Sequence, residues 1–316
     1  MIRSFEIKQD LLTPVPDGDY RTYDVNYVYG NNAKIISDLK NQYDFDLDEV
    51  LARDDEVVCD YVFQSSGKKF LAISFLLPEL NKGLHLDNLV TPIALLIFKE
   101  KLIIVTTHRI AFISQLLTQF QLQDSSNFVV EVTLKILKTS FELMTNDLRQ
   151  LKDKIDGLET SISESGPVKP VFGELLTLQK YMITLSSTYD ANKKIVDFLD
   201  KHFNDIESFN RENEKIIMKL YDKIDTMNRI LKLYGAYLDN FETMINNMSS
   251  FQLNSIMKVL TEISIVLTIP TMVYGLWGIN VPVPFAKSDA GILAVVIISV
   301  ILSVVVWLWL RRRKYL

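Results

Sequence analysis

The sequence predicts an α+β cytoplasmic domain, followed by long coiled-coil stalk helices and a transmembrane hairpin of two helices. Three observations lead to this fold class. Strand-like runs joined by short turns occupy the first ~120 residues, apolar residues at heptad spacing follow further along, and two long apolar stretches lie near the C-terminus. Each pattern is typical of one of the three predicted parts.

The charge is distributed very unevenly along the chain. The whole sequence has 34 Lys and Arg, 39 Asp and Glu, and a net charge of -5. Residues 258–316 contain six basic and two acidic residues, so residues 1–257 carry a net charge of -9 and the remainder +4. An acidic body lacks the basic face that nucleic-acid binding needs, and we expect no nucleic-acid partner.

The predicted α/β cytoplasmic domain covers residues 1–125. Strand-like runs at 2–7, 58–64, 70–77, 92–98 and 102–106 include two pairs joined by short polar turns. Helical spacing marks residues 31–43, and a further helix is expected near Arg109. Strands paired through short turns favour a mixed or antiparallel sheet with helices on its faces. Any metal site in this domain is left unknown by the sequence.

An acidic run at the end of the first predicted helix has some features of a calcium-binding loop. Its carboxylates are those of Asp44, Asp46, Asp48 and Glu49. A calcium loop would require a glycine at its sixth position and a glutamate at its twelfth, where this sequence has Glu49 and Asp55. The run is therefore predicted to be a solvated acidic face.

Long helices are predicted for the middle of the chain. Residues 126–203 read as two long antiparallel helices, broken near 165–167 by Ser-Gly-Pro, and residues 204–258 as a stalk helix. The stalk has apolar residues at alternating spacings of three and four, which is typical of a coiled-coil seam. The seam residues are Ile217, Leu220, Ile224, Met227, Leu231, Tyr234, Leu238, Phe241, Ile245 and Met248.

Two membrane spans are predicted at the C-terminal end. Residues 290–310 form 21 positions without a charge, enough to cross a ~30 Å apolar layer. Residues 259–280 form the first span, although they include Glu262 and Pro270. A buried soluble helix is the alternative for this stretch. Residues 281–289 would be the short loop between the spans.

The orientation follows from the charges that flank the spans. The tail at residues 311–316 begins with three arginines and a lysine, which the positive-inside rule places in the cytoplasm. The loop would then be extracellular, and both termini cytoplasmic. The first thirty residues contain no apolar run of the kind found in signal peptides. We therefore expect a multi-pass protein of the cell (inner) membrane, in contact with the lipid bilayer.

No catalytic constellation is visible in the sequence. There is no nucleophile elbow, P-loop or dinucleotide fingerprint, and His85, His108 and His202 lack the spacing of metal ligands. The single cysteine, Cys59, excludes a disulfide within the chain. These features favour transport or scaffolding over an enzyme, and no cofactor is predicted.

The outer end of the first span carries the most informative residues. Gly275 and Gly278 allow close approach of backbones, and Asn280 is the first polar side chain at the mouth. In a symmetric ring, one Asn per subunit would form a girdle of amide oxygens able to accept hydrogen bonds from a hydrated cation. The alternative is a helix C-cap, where Gly and Asn are also favoured.

These residues resemble the CorA family of divalent-cation transporters. The family's Gly-Met-Asn motif corresponds to Gly278, Ile279 and Asn280, with an aromatic residue, Trp277, before it. Residues 257–261 (Met-Lys-Val-Leu-Thr) resemble the stretch where the family's stalk enters the membrane, and Asn254 matches a pore-facing Asn. The basic run that starts at Arg311 also fits.

The resemblance implies a funnel-shaped homopentamer with an Asn selectivity ring formed by Gly278, Ile279 and Asn280. On a helical wheel that starts at Asn254, the candidate pore-lining residues fall within about a third of the circumference. They are Asn254, Lys258, Thr261, Ile265, Thr268, Met272 and Gly275. Ile265 and Met272 would form narrow apolar rings, and Leu260 corresponds to a hydrophobic gate in the family.

The function implied by the resemblance is uptake of divalent cations, Mg²⁺ first and Co²⁺ or Ni²⁺ with it, driven by the membrane potential. Mg²⁺ could also act as a regulatory ligand of the acidic body. A proton-coupled Zn²⁺ transporter of the same fold is the first alternative, since Ile279 replaces the family's Met and Glu262 lies within the span. A non-conducting membrane-anchored coiled-coil scaffold is the second.

Overall fold

The computed structural model describes residues 1–16, 21–30, 33–52, 56–63, 69–79, 89–123, 125–165, 169–201, 211–279, 284 and 291–312. These residues divide into two compact units, Met1–Phe241 and Glu242–Leu316. Helix α6, Arg211–Trp277, contributes residues to both units.

A seven-stranded mixed sheet forms the centre of the first unit. Its strands are β1 (Ile2–Lys8), β2 (Leu11–Val15), β3 (Val25–Tyr29), β4 (Cys59–Phe63), β5 (Lys69–Pro78), β6 (Val90–Ile97) and β7 (Leu102–Thr106). The order across the sheet is β2-β1-β3-β7-β6-β5-β4, and only the β3–β7 pair is parallel. The predicted mixed sheet is confirmed.

Helices cover both faces of this sheet. On one face, α1 (Ala33–Tyr43) and α2 (Leu47–Ala52) bury Leu39 and Leu47 against Phe70 and Leu96. On the other, α4 (Phe128–Ser165) and α5 (Lys169–Lys201) pack over β5. Helix α3 (Ala111–Thr118) and a short 3-10 turn at Ser125–Asn127 connect the sheet to α4. Because both faces are covered, β5 and β7 are apolar almost throughout.

Three elements of the fold were not predicted from the sequence. Strands β2 and β3 lie in a stretch read as irregular, and α2 occupies the acidic run. The carboxylate of Asp46 accepts a hydrogen bond from the Glu49 N–H at 3.3 Å and so caps α2. The same carboxylate pairs with Lys40, which together with the cap lowers its pKa. Asp48 and Glu49 are exposed, which confirms the solvated acidic face.

A buried asparagine ties α5 to the sheet. Strand β4 pairs with β5 only as far as Ile73, so Leu76 has no strand partner on that side. The side chain of Asn192 replaces it: the amide oxygen accepts from the Leu76 N–H at 2.9 Å, and the amide nitrogen donates to the Leu76 carbonyl at 2.7 Å. Asn192 is fully buried, so these bonds leave no polar backbone group of Leu76 unpaired.

The predicted seam of α6 is buried within the chain. Seven of its ten residues have at most 3% of their surface exposed. Those seven are Ile217, Leu220, Ile224, Met227, Leu231, Leu238 and Ile245. Contacts in the first unit identify the partners: the Thr145 hydroxyl of α4 lies 3.4 Å from the Met227 sulfur, and Lys193 of α5 pairs with Asp225 at 3.6 Å. The first unit therefore supplies this helix with packing partners from its own chain.

The helix bounds differ from the predicted ones at several ends. Residues 204–210 of the predicted stalk and 281–283 and 285–289 of the predicted loop lie outside the described residues. Helix α6 ends at Trp277, so Gly278 and Ile279 follow the helix instead of belonging to it. Helix α7, Gly291–Arg312, extends past the predicted span into the basic tail.

A partly buried carboxyl group on α4, that of Asp147, makes the stability of the first unit depend on pH. Burial, and then repulsion from Glu79, raises the pKa of Asp147 to about 6. Glu79 itself accepts a hydrogen bond from Thr91 at 2.6 Å and lies 3.2 Å from the His108 ring nitrogen. Because the folded state holds the Asp147 proton more tightly than the unfolded chain, this group makes folding less favourable as pH rises from about 4 to 6.

We predict that Asp147→Asn raises the thermal midpoint of the full-length protein in detergent at pH 7.5 by roughly 2–4 °C. The amide has nearly the same shape and no charge, so it removes the cost of burying a carboxylate. At pH 4.5, where Asp147 is mostly protonated in the folded state, the gain should shrink to about a third, and it should vanish below about pH 4. The exposed Asp153→Asn on the same helix is the matched control. Equal gains at both pH values, or a gain in the control, would contradict this account.

Candidate functional site

The second unit contains two helices that are long and apolar enough to cross a membrane. These are the C-terminal part of α6, and α7. Only 6% of the apolar window of α6 and 17% of that of α7 are buried within the chain. Apolar side chains such as Leu267 (65% exposed) and Ile292 (82% exposed) would be costly to keep in water. The surface of this unit is therefore suited to lipid or to other copies of the chain.

The two helices pack through one face of each. On α7 the buried positions are Gly291, Val295, Ser299 and Leu310, about one turn apart or at multiples of a turn. On α6, Val273 is buried and the Tyr274 hydroxyl lies 3.4 Å from the Ser299 hydroxyl. This contact between polar groups sets the register of the hairpin.

A different face of α6 carries the candidate pore-lining residues. The structure leaves six of the seven exposed, namely Asn254, Thr261, Ile265, Thr268, Met272 and Gly275. The seventh, Lys258, is half-buried, as are Glu262 and Val266 on the same flank as Val273. Leu260, the candidate gate residue, is 56% exposed, and Met272 is 70% exposed. The face is thus uncovered within the chain, except at Lys258.

The hydroxyl groups on this face act as acceptors. Thr261 donates its proton to the Met257 carbonyl at 2.7 Å, and Thr268 donates to the Ser264 carbonyl, also at 2.7 Å. A hydroxyl whose proton is used in this way presents only lone pairs to its surroundings. On the exposed face, Thr261 and Thr268 therefore present oxygen acceptors, which suit a cation or the water molecules around it, and the face has no acidic residue.

The polar face continues on the N-terminal side of Asn254. Thr243, Asn247 and Ser250 fall within about 40° of Asn254 on the same helical wheel, at 100° per residue. All three are exposed and uncharged. Sequence reasoning missed them because the wheel started at Asn254. The recurrence of Asn or Thr every seven residues, at 247, 254, 261 and 268, could have revealed them.

The outer end of α6 is stabilised by main-chain and indole hydrogen bonds. The Gly278 N–H donates to the carbonyls of Tyr274 and Gly275, at 3.0 and 3.2 Å, and so ends the helix. The indole of Trp277 donates to the Pro284 carbonyl at 3.1 Å, which holds Pro284 near the helix end. Ile279 is 53% exposed. Asn280 lies outside the described residues.

The space beside the α-carbon of Gly275 is not occupied by other atoms of this chain. A methyl group built on Gly275 would meet no atom of this chain within 4 Å, while one on Gly278 would touch the Tyr274 carbonyl at 3.4 Å. The chain itself therefore does not require a glycine at 275. A requirement would have to come from whatever faces this position outside the chain.

Within the part of the chain that the structure describes, no group of three His, Cys, Asp or Glu side chains is arranged to hold a metal ion. His108 is half-exposed and lies beside Glu79, whereas His85 and His202 lie outside the described residues. The candidate chemistry in the described residues is that of the acceptor hydroxyls of Thr261 and Thr268 on one helix face.

A mixed α/β domain, long packed helices and an apolar two-helix hairpin define a membrane protein with a large soluble body. A family model described as CorA-like Mg²⁺ transporter protein matches residues 28–312. The chain belongs to this family, and the resemblance stated from the sequence is confirmed.

Individual relatives agree with this assignment. The cobalt/magnesium transport protein CorA of Methanocaldococcus jannaschii is 22% identical over 171 residues, which cover 53% of this chain and 52% of that protein. The chain thus aligns with about half the length of this curated relative.

Two solved structures show the same fold along nearly the whole chain. The complete structure of the CorA magnesium transporter from M. jannaschii has a TM-score of 0.78 at 16% identity, covering 100% of this chain and 98% of that one. The full-length CmaX protein has a TM-score of 0.71 at 14% identity, covering 96% of both chains. The predicted order of α/β domain, long helices and apolar hairpin is confirmed.

Proposed function

We propose that the protein is a homopentameric channel or transporter for divalent metal cations, with Mg²⁺ as its principal ion and Co²⁺ or Ni²⁺ as further substrates. The observation that carries this proposal is the uncovered face of α6, where Thr261 and Thr268 present acceptor oxygens. Membership of the CorA-like family supports the same function.

The assembly follows from the surface of the second unit. An apolar helix that exposes a polar stripe on one side cannot place that side in lipid without a large free-energy cost. Copies arranged around an axis would turn their polar stripes towards one another and enclose a water-filled path. Five copies is the number that the family resemblance implies.

Selectivity is assigned to the outer end of α6. In this proposal Gly278, Ile279 and Asn280 form a ring in which the Asn280 amide oxygens accept hydrogen bonds from the waters around the ion. Mg²⁺ loses its waters reluctantly, so a ring that binds the hydrated ion avoids the cost of stripping it. Leu260, Ile265 and Met272 then serve as apolar constrictions, which can close the path by excluding water.

The membrane potential supplies the driving force. An inside-negative potential contributes about 2.3 kcal/mol per elementary charge per 100 mV, and twice that for a divalent ion. No nucleotide hydrolysis is needed. The orientation proposed for this mechanism is a multi-pass protein of the cell (inner) membrane, with both termini in the cytoplasm and the basic end of α7 on the same side.

We predict that the reconstituted protein carries Mg²⁺ into liposomes under an inside-negative potential, and that Asn280→Ala reduces this flux at least tenfold. A tenfold loss corresponds to about 1.4 kcal/mol, within the range for one removed polar contact. Thr268→Val, which keeps the shape and removes the acceptor oxygen, should reduce flux several-fold.

The control for this experiment is Thr271→Val. Thr271 is an exposed hydroxyl of the same helix that donates to the Leu267 carbonyl at 3.3 Å, but it lies outside the arc of the candidate pore-lining residues, about 100° from Asn254 and about 60° from Thr268. It should leave flux unchanged. No flux of any divalent ion would instead support the membrane-anchored scaffold, for which neither Asn280 nor Thr268 has a role.

A second candidate function is proton-coupled Zn²⁺ transport. It is favoured by one observation, the half-buried carboxylate of Glu262 in a span where carboxylates are rare. Flux of Zn²⁺ in preference to Mg²⁺ that follows a proton gradient would establish it. Flux of Mg²⁺ that follows only the membrane potential would exclude it.

We also propose that intracellular Mg²⁺ is a regulatory ligand of the acidic body. The motivation is its net charge of -9 over residues 1–257, because packed subunits of like charge repel one another without counter-ions. We expect limited proteolysis of the full-length protein to be slower in millimolar Mg²⁺ than in chelator, with monovalent salt at equal ionic strength as the control. Identical cleavage in Mg²⁺ and in chelator would exclude this regulation.

A further inference from the structure

Glu262 is the acidic residue for which the pathway described above has no use. Among the described residues of α6 and α7 beyond Lys258, it is the only carboxylate. It lies about 80° from Asn254 on the helical wheel, outside the row of acceptor oxygens. A carboxylate near the edge of an apolar layer is costly unless a cation or a donor compensates it.

The burial pattern places Glu262 on the face of α6 that packs against α7. The partly or fully buried residues of this stretch recur one helical turn apart and include Lys258, Glu262, Val266, Ile269 and Val273. Val273 neighbours Tyr274, whose hydroxyl contacts Ser299 of α7. Glu262 therefore belongs to the interhelical face, and not to the exposed face that carries Thr261 and Thr268.

The register of the hairpin identifies the residue of α7 at the same depth. The helices are antiparallel, and Tyr274 is level with Ser299. Glu262 lies twelve residues before Tyr274 on α6, and Arg311 lies twelve residues after Ser299 on α7. At 1.5 Å per residue, both are ~18 Å along the helix axis from the Tyr274–Ser299 contact, in the same direction. The neighbouring Leu310 is only 3% exposed, so the last turn of α7 is still packed at this depth.

The charge of Arg311 is kept near the apolar layer. Its guanidinium lies 5.2 Å from the centre of the Trp307 ring, one turn deeper in α7. Arg312 is also exposed but lies about 160° around the helix from the buried Leu310, compared with about 100° for Arg311. On α6, Lys258 lies one turn below Glu262 on the same flank. Two cations and one carboxylate therefore lie at the same end of the hairpin.

We infer that Glu262 is a positioning residue that acts as the counter-ion of Arg311 and Lys258 and holds the cytoplasmic ends of α6 and α7 together. With the carboxylate in place, the half-buried Lys258 is drawn to the interhelical flank and away from the path of the cation. Without it, a lysine from each subunit would be free to turn its positive charge towards that path and repel divalent ions. The pairing does not depend on which ion is carried.

A charge-reversal experiment on the full-length protein tests this inference. Glu262→Gln and Arg311→Gln should each lower the thermal midpoint in detergent by about 2–4 °C. The double variant should be no less stable than either single one, since the two changes remove the same pair. The exchanged pair, Glu262→Arg with Arg311→Glu, should recover most of the loss. Arg312→Gln is the matched control and should leave the midpoint unchanged.

A second measurement separates positioning from proton transfer. Glu262→Asp keeps the carboxylate and should have nearly the thermal midpoint of the unsubstituted protein. In Glu262→Gln, liposome flux should fall, but the dependence of flux on pH should not change. Additive losses in the double variant would overturn the inference, because they would show that the two residues do not interact. Unchanged stability in Glu262→Gln with loss of the pH dependence of flux would also overturn it, and would make Glu262 a proton carrier. The midpoint does not require transport, so it reports on the pair even if the protein conducts no ion.

Discussion

The exposed apolar surface of the second unit is the constraint on which the rest of the account depends. Most side chains of α6 beyond Phe251 and of α7 are large and apolar, and the chain itself covers few of them. Water is an unfavourable environment for such a surface, so it must be covered by lipid or by other copies of the chain. The polar stripe on α6 is solvated better by water than by lipid. The proposed assembly separates the two surfaces, with lipid outside and a polar lumen inside.

In the proposed assembly, hydrogen bonds within α6 give the exposed face its outward polarity. Threonine can donate or accept, but the i−4 carbonyl takes the proton of Thr261 and of Thr268. The helix thereby fixes the outward polarity of each hydroxyl without any charged residue. In the proposed path, uncharged acceptors such as these would attract cations weakly enough to release them, which conduction requires.

Much of the fold follows from residue patterns that have a simple physical cause. Strands β5, β6 and β7 were predictable because both of their faces are buried, and the α6 seam was predictable because its spacing matches the helical repeat. Strand β3 was missed because Asn26 and the turn residues before it interrupt its apolar run. Helix α2 was missed because its acidic residues resemble a loop, although Asp46 is its N-cap. The role of Asn192 depends on where β4 ends, which no local pattern shows.

Part of the candidate site could be predicted because it lies on one helix, whose faces follow from its own sequence. A helical wheel groups Thr261, Ile265 and Thr268 on one face, since a face is a local property of one helix, and the structure leaves all three exposed. It also groups Lys258 with them, whereas the structure half-buries Lys258 together with Glu262. That distinction depends on the register of α7 against α6, which is set by a contact between residues 25 positions apart.

Cysteine accessibility tests most directly whether the exposed face of α6 lines a water-filled path. Burial raises the pKa of the native Cys59 thiol to about 12, which makes it poorly reactive, and a Cys59→Ala background removes it altogether. In that background, Thr268→Cys and Thr271→Cys would be treated in liposomes with a small charged thiol reagent while divalent flux is recorded. The account predicts that the reagent modifies position 268 and blocks flux, and that position 271 is neither modified nor sensitive. Modification of 271 with protection of 268 would contradict it, because it would place a strip of the helix outside the proposed face, about 60° from Thr268, in water.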